Sequence, residues 1–192
     1  MPLTGIPSAL AADPALAAVL ASPHADADLS CVDGARVPLL ARLLQAEGGP
    51  RALLAIVATG RESESVVDAF RAYLPEAEVH AFPSWETLPH ERLSPSAETV
   101  GRRLAALRAL REWGRASSAP SSGEPLDGSP AGGRSTARPS SAGRRPFVLV
   151  ASVRAALQPL LPGLDAIEPV VLAVGGRGHD LARIAERLVG LA

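Results

Sequence analysis

Leu53-Leu54-Ala55-Ile56-Val57-Ala58-Thr59-Gly60-Arg61-Glu62 decides how this chain folds. The first six residues are a continuous apolar run, as a strand buried in a parallel sheet requires. The next four have the spacing of a capping box, in which the Thr hydroxyl and the Glu carboxylate satisfy free N–H groups at a helix start. The helix that follows carries Val66, Val67, Phe70, Tyr73 and Leu74 on one face. A strand feeding directly into an amphipathic helix is one βα unit.

The same alternation continues outward in both directions. Downstream, residues 79–82 read as a strand, and Ser94-Pro95 as the start of a long helix. That helix is expected to bury Val100, Leu104, Leu107 and Trp113 and to expose Arg102, Arg103, Arg108 and Arg111. Residues 147–151 are a further strand, Ser152 caps a short helix limited by Pro159, and residues 170–174 are another strand. Gly175-Gly176-Arg177-Gly178 turns the chain, and Asp180 caps a last amphipathic helix with Leu181, Ile184, Leu188 and Leu191. Upstream, Asp13 is the N-cap of a helix that has Pro14 at its first position. Residues 29–32 form a short strand candidate, Asp33-Gly34 a turn, and residues 38–45 a helix ending before Gly48-Gly49. Strands alternating with helices give the α/β class: a parallel sheet flanked by helices on both faces.

Composition narrows the function classes. The 192 residues suffice for one domain and the edge of another. Hydrophobic residues make up 47% and aromatics 3%, so the core is Ala, Leu and Val. All 19 basic residues are Arg, which excludes Schiff-base lysine chemistry and a standard phosphate-binding P-loop. A net charge of −1 lacks the basic excess usual in a freestanding nucleic-acid-binding domain. The single Cys31 excludes an internal disulfide and a multi-cysteine metal site, and fits a reducing cytosol. No apolar run reaches membrane-spanning length, and the Ala-rich start lacks the basic region of a signal peptide. Between residues 116 and 145, 17 of 30 residues are Ser, Gly or Pro, which predicts a flexible, solvated insertion between a helix and the next strand.

Several segments invite chemistry. Asp33, Gly34, Ala35, Arg36 and Val37 occupy the place of a nucleotide-binding loop. Such a loop needs glycines, a Lys for the outer phosphates and a hydroxyl for Mg²⁺. Arg36 stands at the Lys place, Val37 at the hydroxyl place and Ala35 at a glycine place, so the loop reads as degenerate, or as an ordinary turn that never bound anything. His24, His80, His90 and His179 lack ligand spacing, which predicts no metal site. No GxSxG elbow occurs, so no catalytic residue is expected. Gly175 to Gly178, helped by Arg177, could cradle an anion, which keeps open a small α/β enzyme for a phosphorylated ligand. The proline-stiffened loop after Phe82 is expected to fold Phe82, Trp85 and Leu88 inward and leave Glu86, Glu91 and Arg92 solvated. Paired acid catalysis by Glu86 and Glu91 is the weaker reading.

The stretch FPSWETLPHERLSPSAETVGRRLAALRAL, residues 82–110, closely resembles the N-terminal module of bacterial transcription-repair coupling factors. The specific part is WETLPHERLSP, with Trp85, Glu86, Leu88, Pro89, Ser94 and Pro95 as its motif residues. The resemblance runs from about Leu3 to Ala192, apart from the insertion. It implies a UvrB-like α/β domain over residues 1–115 and 146–175, a degenerate P-loop helicase-like fold without a nucleotide site. The flexible insertion takes up 116–145, and 176–192 is the first helix of a truncated second domain. It further implies a role in DNA repair: the full-length family member recognises RNA polymerase stalled at DNA lesions, releases it by ATP-dependent translocation on DNA, and recruits the UvrA nucleotide excision-repair machinery. UvrA would dock mainly on the second domain, and RNA polymerase and DNA on domains absent here. ATP and Mg belong to the absent motor domains, so no cofactor is expected for this piece, which is a non-catalytic scaffold in the cytoplasm. A UvrB-type excision-repair subunit is the remaining alternative, but the loop after Phe82 is too short for a damage-probing hairpin.

Overall fold

The computed structural model describes residues 2–21, 26–87, 94–118, 145–160, 170, 174–175 and 180–189. The helices are α1 (Gly5–Ala9), α2 (Pro14–Ala21), α3 (Arg36–Gln45), α4 (Gly60–Tyr73), α5 (Ala97–Ser118), α6 (Val153–Leu157) and α7 (Leu181–Val189). The strands are β1 (Ala52–Val57), β2 (Glu78–Phe82) and β3 (Phe147–Ser152). The chain divides into two units, Met1–Gln158 and Pro159–Ala192.

In the first unit the three strands form one parallel sheet in the order β1-β3-β2. Ala52 pairs with Phe147 and Val57 with Ser152 along one side of β3; Glu78 pairs with Phe147 and Phe82 with Ala151 along the other. The central strand β3 alternates its side chains between two cores, as strand geometry dictates. Val148 and Val150 meet Val67, Phe70 and Leu74 of α4 and Ala41 and Leu44 of α3. Leu149 and Ala151 face the opposite way, toward Ala106 and Leu107 of α5, Ala155 of α6, and Phe82. Helices therefore cover both faces of the sheet's centre, as the alternation predicted.

Local signals were obeyed at most helix starts. Thr59 Oγ1 accepts the Glu62 amide at 3.1 Å, and Glu62 Oε2 accepts the Ala58 amide at 3.2 Å. Ser152 Oγ accepts the Ala155 amide at 3.2 Å, and Asp13 Oδ1 accepts those of Ala15 and Leu16.

Four expectations need correction. The decisive run 53–58 becomes the strand 52–57, which among the described residues is an edge strand and is not buried on both faces: Leu54 and Ile56 are 58% and 52% exposed, and only Leu53, Ala55 and Val57 pack on the core. The continuous apolar pattern fits β3 better. Residues 29–32 form no strand, and Leu29 and Val32 lie exposed. Among the described residues no strand pairs with them, so their backbone groups have no ladder to join. The long helix begins at Ala97, not at Ser94-Pro95, because Ser96 is its cap: Ser96 Oγ accepts the Thr99 amide at 3.2 Å. Finally, Arg103 is on the buried side of α5, 2% exposed. The buried stripe runs Thr99, Arg103, Ala106, Ala109, with Val100, Leu104 and Leu107 only half-buried. Ala106 packs against Phe82 and Ala151, and this rotation of the stripe carries Arg103 inward.

In the second unit Asp180 caps α7 as expected, its Oδ1 accepting the amides of Ala182 at 2.9 Å and Arg183 at 3.4 Å. Gly175 takes φ +79, a left-handed turn that glycine enters without a Cβ penalty. Residues 171–173 of the expected strand at 170–174, the rest of the Gly175–Gly178 turn, and most of the 116–145 insertion lie outside the described residues.

Candidate functional site

The loop leaving β2 is held at two points, and its sequence explains both. Glu86 hydrogen-bonds to the start of α5. Its Oε2 accepts the Ser96 amide at 2.9 Å, and its Oε1 accepts the hydroxyls of Ser96 at 2.8 Å and Thr99 at 2.7 Å. A helix N-terminus presents unpaired N–H groups and a partial positive charge, so a carboxylate there is favoured. The Ser96 amide, then the Thr99 and Ser96 hydroxyls, hold the Glu86 carboxyl below the usual glutamate range. A carboxylate stabilised in its ionised form and engaged by three donors is a poor general acid. Its expected acid partner Glu91, like Leu88, Pro89, His90 and Arg92, is outside the described residues.

The second hold is Arg103. Its guanidinium carbon lies 4.1 Å from the centre of the Phe82 ring and 4.2 Å from that of Trp85, so two aromatic side chains share one cation. Each contact of this kind contributes about 0.5–2 kcal/mol, more as water is excluded. Arg103 Nη1 donates to the Pro83 carbonyl at 2.7 Å and, at 3.4 Å, to Gln158 Oε1. Gln158 Oε1 also accepts the Trp85 amide at 2.7 Å. Burial lowers the Arg103 pKa, but a guanidinium stays charged at neutral pH. Phe82 is buried and Trp85 half-buried, as the sequence suggested. The agent that holds them was missed. Its signal was present: Thr99, Arg103 and Ala106 fall at positions i, i+4 and i+7, one helical face, and a Phe ends the preceding strand with a Trp three residues on.

Of the other arginines expected on the exposed face, Arg108 is exposed, whereas Arg102 and Arg111 are half-buried. Arg102 pairs with Glu64, and Arg108 Nε with Glu112 Oε1 at 2.6 Å. Trp113 is half-buried, with its ring 5.8 Å from that of Phe147.

The candidate nucleotide loop is laid out differently from a phosphate cradle. Asp33 to Ala35 form a single 3-10 turn, and Arg36 is the first residue of α3. Arg36 Nη2 reaches back 2.9 Å to Asp33 Oδ1. Val37 packs at the edge of the apolar core under α3. Gly34 has an ordinary negative φ, and a Cβ there would meet nothing within 4 Å, so the turn does not demand glycine. The described residues 26–32 before the loop form no strand. Among the described residues no group of three His, Cys, Asp or Glu side chains could hold a metal ion.

No family model matches the chain. It is 38% identical over 165 residues to the transcription-repair-coupling factors of Mycobacterium bovis and Mycobacterium tuberculosis. This chain resembles transcription-repair-coupling factors. The likeness covers 86% of the chain but 11% of each relative, so the chain spans about a tenth of their length. Alignment over most of 192 residues includes the fold, and is far more than the eleven-residue motif alone. Among the described residues no helix is long and apolar enough to cross a membrane.

Proposed function

We propose that this chain is the N-terminal, UvrB-like region of a transcription-repair-coupling factor and acts as a scaffold without chemistry of its own. The observation that carries this reading is the 38% identity over 86% of the chain. In it, the full-length protein recognises RNA polymerase stalled at a lesion, releases it by ATP-dependent translocation on DNA in the cytoplasm, and recruits UvrA. ATP and Mg²⁺ serve motor domains elsewhere in the protein. The region described here positions a UvrA-docking second domain, to which α7 contributes the first helix.

The loss of nucleotide binding is supported by chemistry at Asp33 to Val37. An arginine already paired with an aspartate and a valine turned to the core leave neither a free cation for outer phosphates nor a hydroxyl for Mg²⁺. Titration with ATP and Mg²⁺ is expected to give no saturable binding; micromolar affinity with turnover overturns this part. A pull-down with UvrA is expected to capture this chain weakly or not at all, and to capture a longer chain with the complete second domain clearly. Strong capture by the 192-residue chain alone overturns the scaffold role.

A further inference from the structure

Gln158 is the last residue of the first unit, 73 positions from Trp85 in sequence, yet one of its side-chain atoms closes the Trp85 loop. We infer that Gln158 is a latch: it couples the point where the chain leaves the first unit to the conformation of the Trp85 loop.

Gln158 Oε1 has two lone pairs and takes two donors, the Trp85 amide at 2.7 Å and Arg103 Nη1 at 3.4 Å. The same Nη1 holds the Pro83 carbonyl, and the same guanidinium lies against the rings of Phe82 and Trp85. The loop, the buried cation and the exit residue thus meet at one oxygen. Gln158 itself is placed by the end of α6, where its amide donates to the Ala155 carbonyl at 3.4 Å. α6 in turn is fixed to the end of β3 by the Ser152 cap. Any rotation of the chain at Gln158 withdraws the acceptor from Trp85 and from Arg103 together. It leaves the sheet hydrogen bonds intact, because none of them involves this side chain. The next residue, Glu86, is tied separately to Ser96 and Thr99 at the start of α5, contacts that do not pass through Gln158. Gln158 acts through Trp85 and Arg103 and is a positioning residue. The inference concerns contacts inside the first unit and is independent of the family reading.

The test is amide hydrogen exchange, read by NMR on the 192-residue chain. Gln158→Met keeps the length of the side chain and removes the acceptor. The Trp85 amide is expected to exchange at least tenfold faster, with Val148 and Val150 in β3 unchanged within twofold. Gln158→Glu restores an acceptor oxygen and is expected to return Trp85 protection to within twofold of the parent. In a Trp113→Phe background, Trp85 fluorescence is expected to become more accessible to acrylamide in Gln158→Met and not in Gln158→Glu. An unchanged Trp85 exchange rate in Gln158→Met overturns the latch. So does parallel acceleration of Val148 and Val150, which marks general loosening, and so does failure of Gln158→Glu to rescue.

Discussion

Where α3 and α4 cover the sheet, Leu44, Val67, Phe70 and Leu74 close over Val148 and Val150, with the Ser63 hydroxyl buried beside them. Where α5 and α6 cover it, Ala106, Ala109, Ala151 and Ala155 take the place of large side chains, and the volume they leave is filled by Phe82 and the Arg103 guanidinium. The first face holds by burial and volume, with no directional requirement. The second holds by a charge that must find its two rings, its carbonyl and its amide oxygen in fixed positions. The first face is mostly aliphatic with the single buried Phe70 ring, whereas the second sets the Phe82 and Trp85 rings where orientation to a charge matters.

The largest expected effect breaks the apolar face. Phe70→Ala removes a fully buried ring between α4 and the sheet, and should cost about 3–5 kcal/mol in denaturant unfolding. The next tests whether the second face is different in kind. Arg103→Met preserves most of the side-chain volume but deletes both ring contacts and leaves the Pro83 carbonyl without its donor. It should cost about 2 kcal/mol and shift Trp85 emission to the red. Were the α5 face an ordinary core, the same replacement would be neutral or stabilising, as hydrophobic substitutes for buried charges often are.

This contrast also marks how far the sequence could be read. The apolar face was legible residue by residue: Val67, Phe70 and Leu74 recur at helical spacing, and Thr59, Ser152, Asp13 and Asp180 stand where caps belong. Those signals act over three or four residues, so a local reading finds them. The arginine clamp joins positions 82, 85, 103 and 158, and no local period links them. Charge normally goes to solvent; only the packing of Arg103 on Phe82, Trp85 and the Pro83 carbonyl reverses that here. Strand 29–32 was read from composition alone and failed for want of a neighbour. The apolar run 53–58 does form a strand but is not buried on both faces, because a continuous apolar run does not say what lies against each face. For the candidate nucleotide loop, residue chemistry was legible and geometry was not: that Arg36 turns back to Asp33 depends on the 3-10 turn.

Smaller effects come from the helix starts, and they sharpen the comparison because each face has its own cap. On the apolar face Thr59→Ala removes the acceptor of the Glu62 amide and should cost about 1 kcal/mol, measured by urea unfolding at neutral pH. On the clamp side the corresponding group is Glu86, whose contribution depends on pH. Its carboxyl is held below the ordinary range by the Ser96 amide first, then by the Thr99 and Ser96 hydroxyls. A carboxyl with a lowered folded-state pKa stabilises fully above its unfolded-state value, about 4.3, and loses that contribution as pH falls through the folded value. Glu86→Gln should therefore be less stable than the parent at neutral pH by a constant margin, which narrows below about pH 4.3 as the parent protonates. Urea midpoints from pH 7 into the acid range check this. A margin that stays flat across that range would mean that the α5 cap is held by shape and not by charge, and the two faces would then differ only at Arg103.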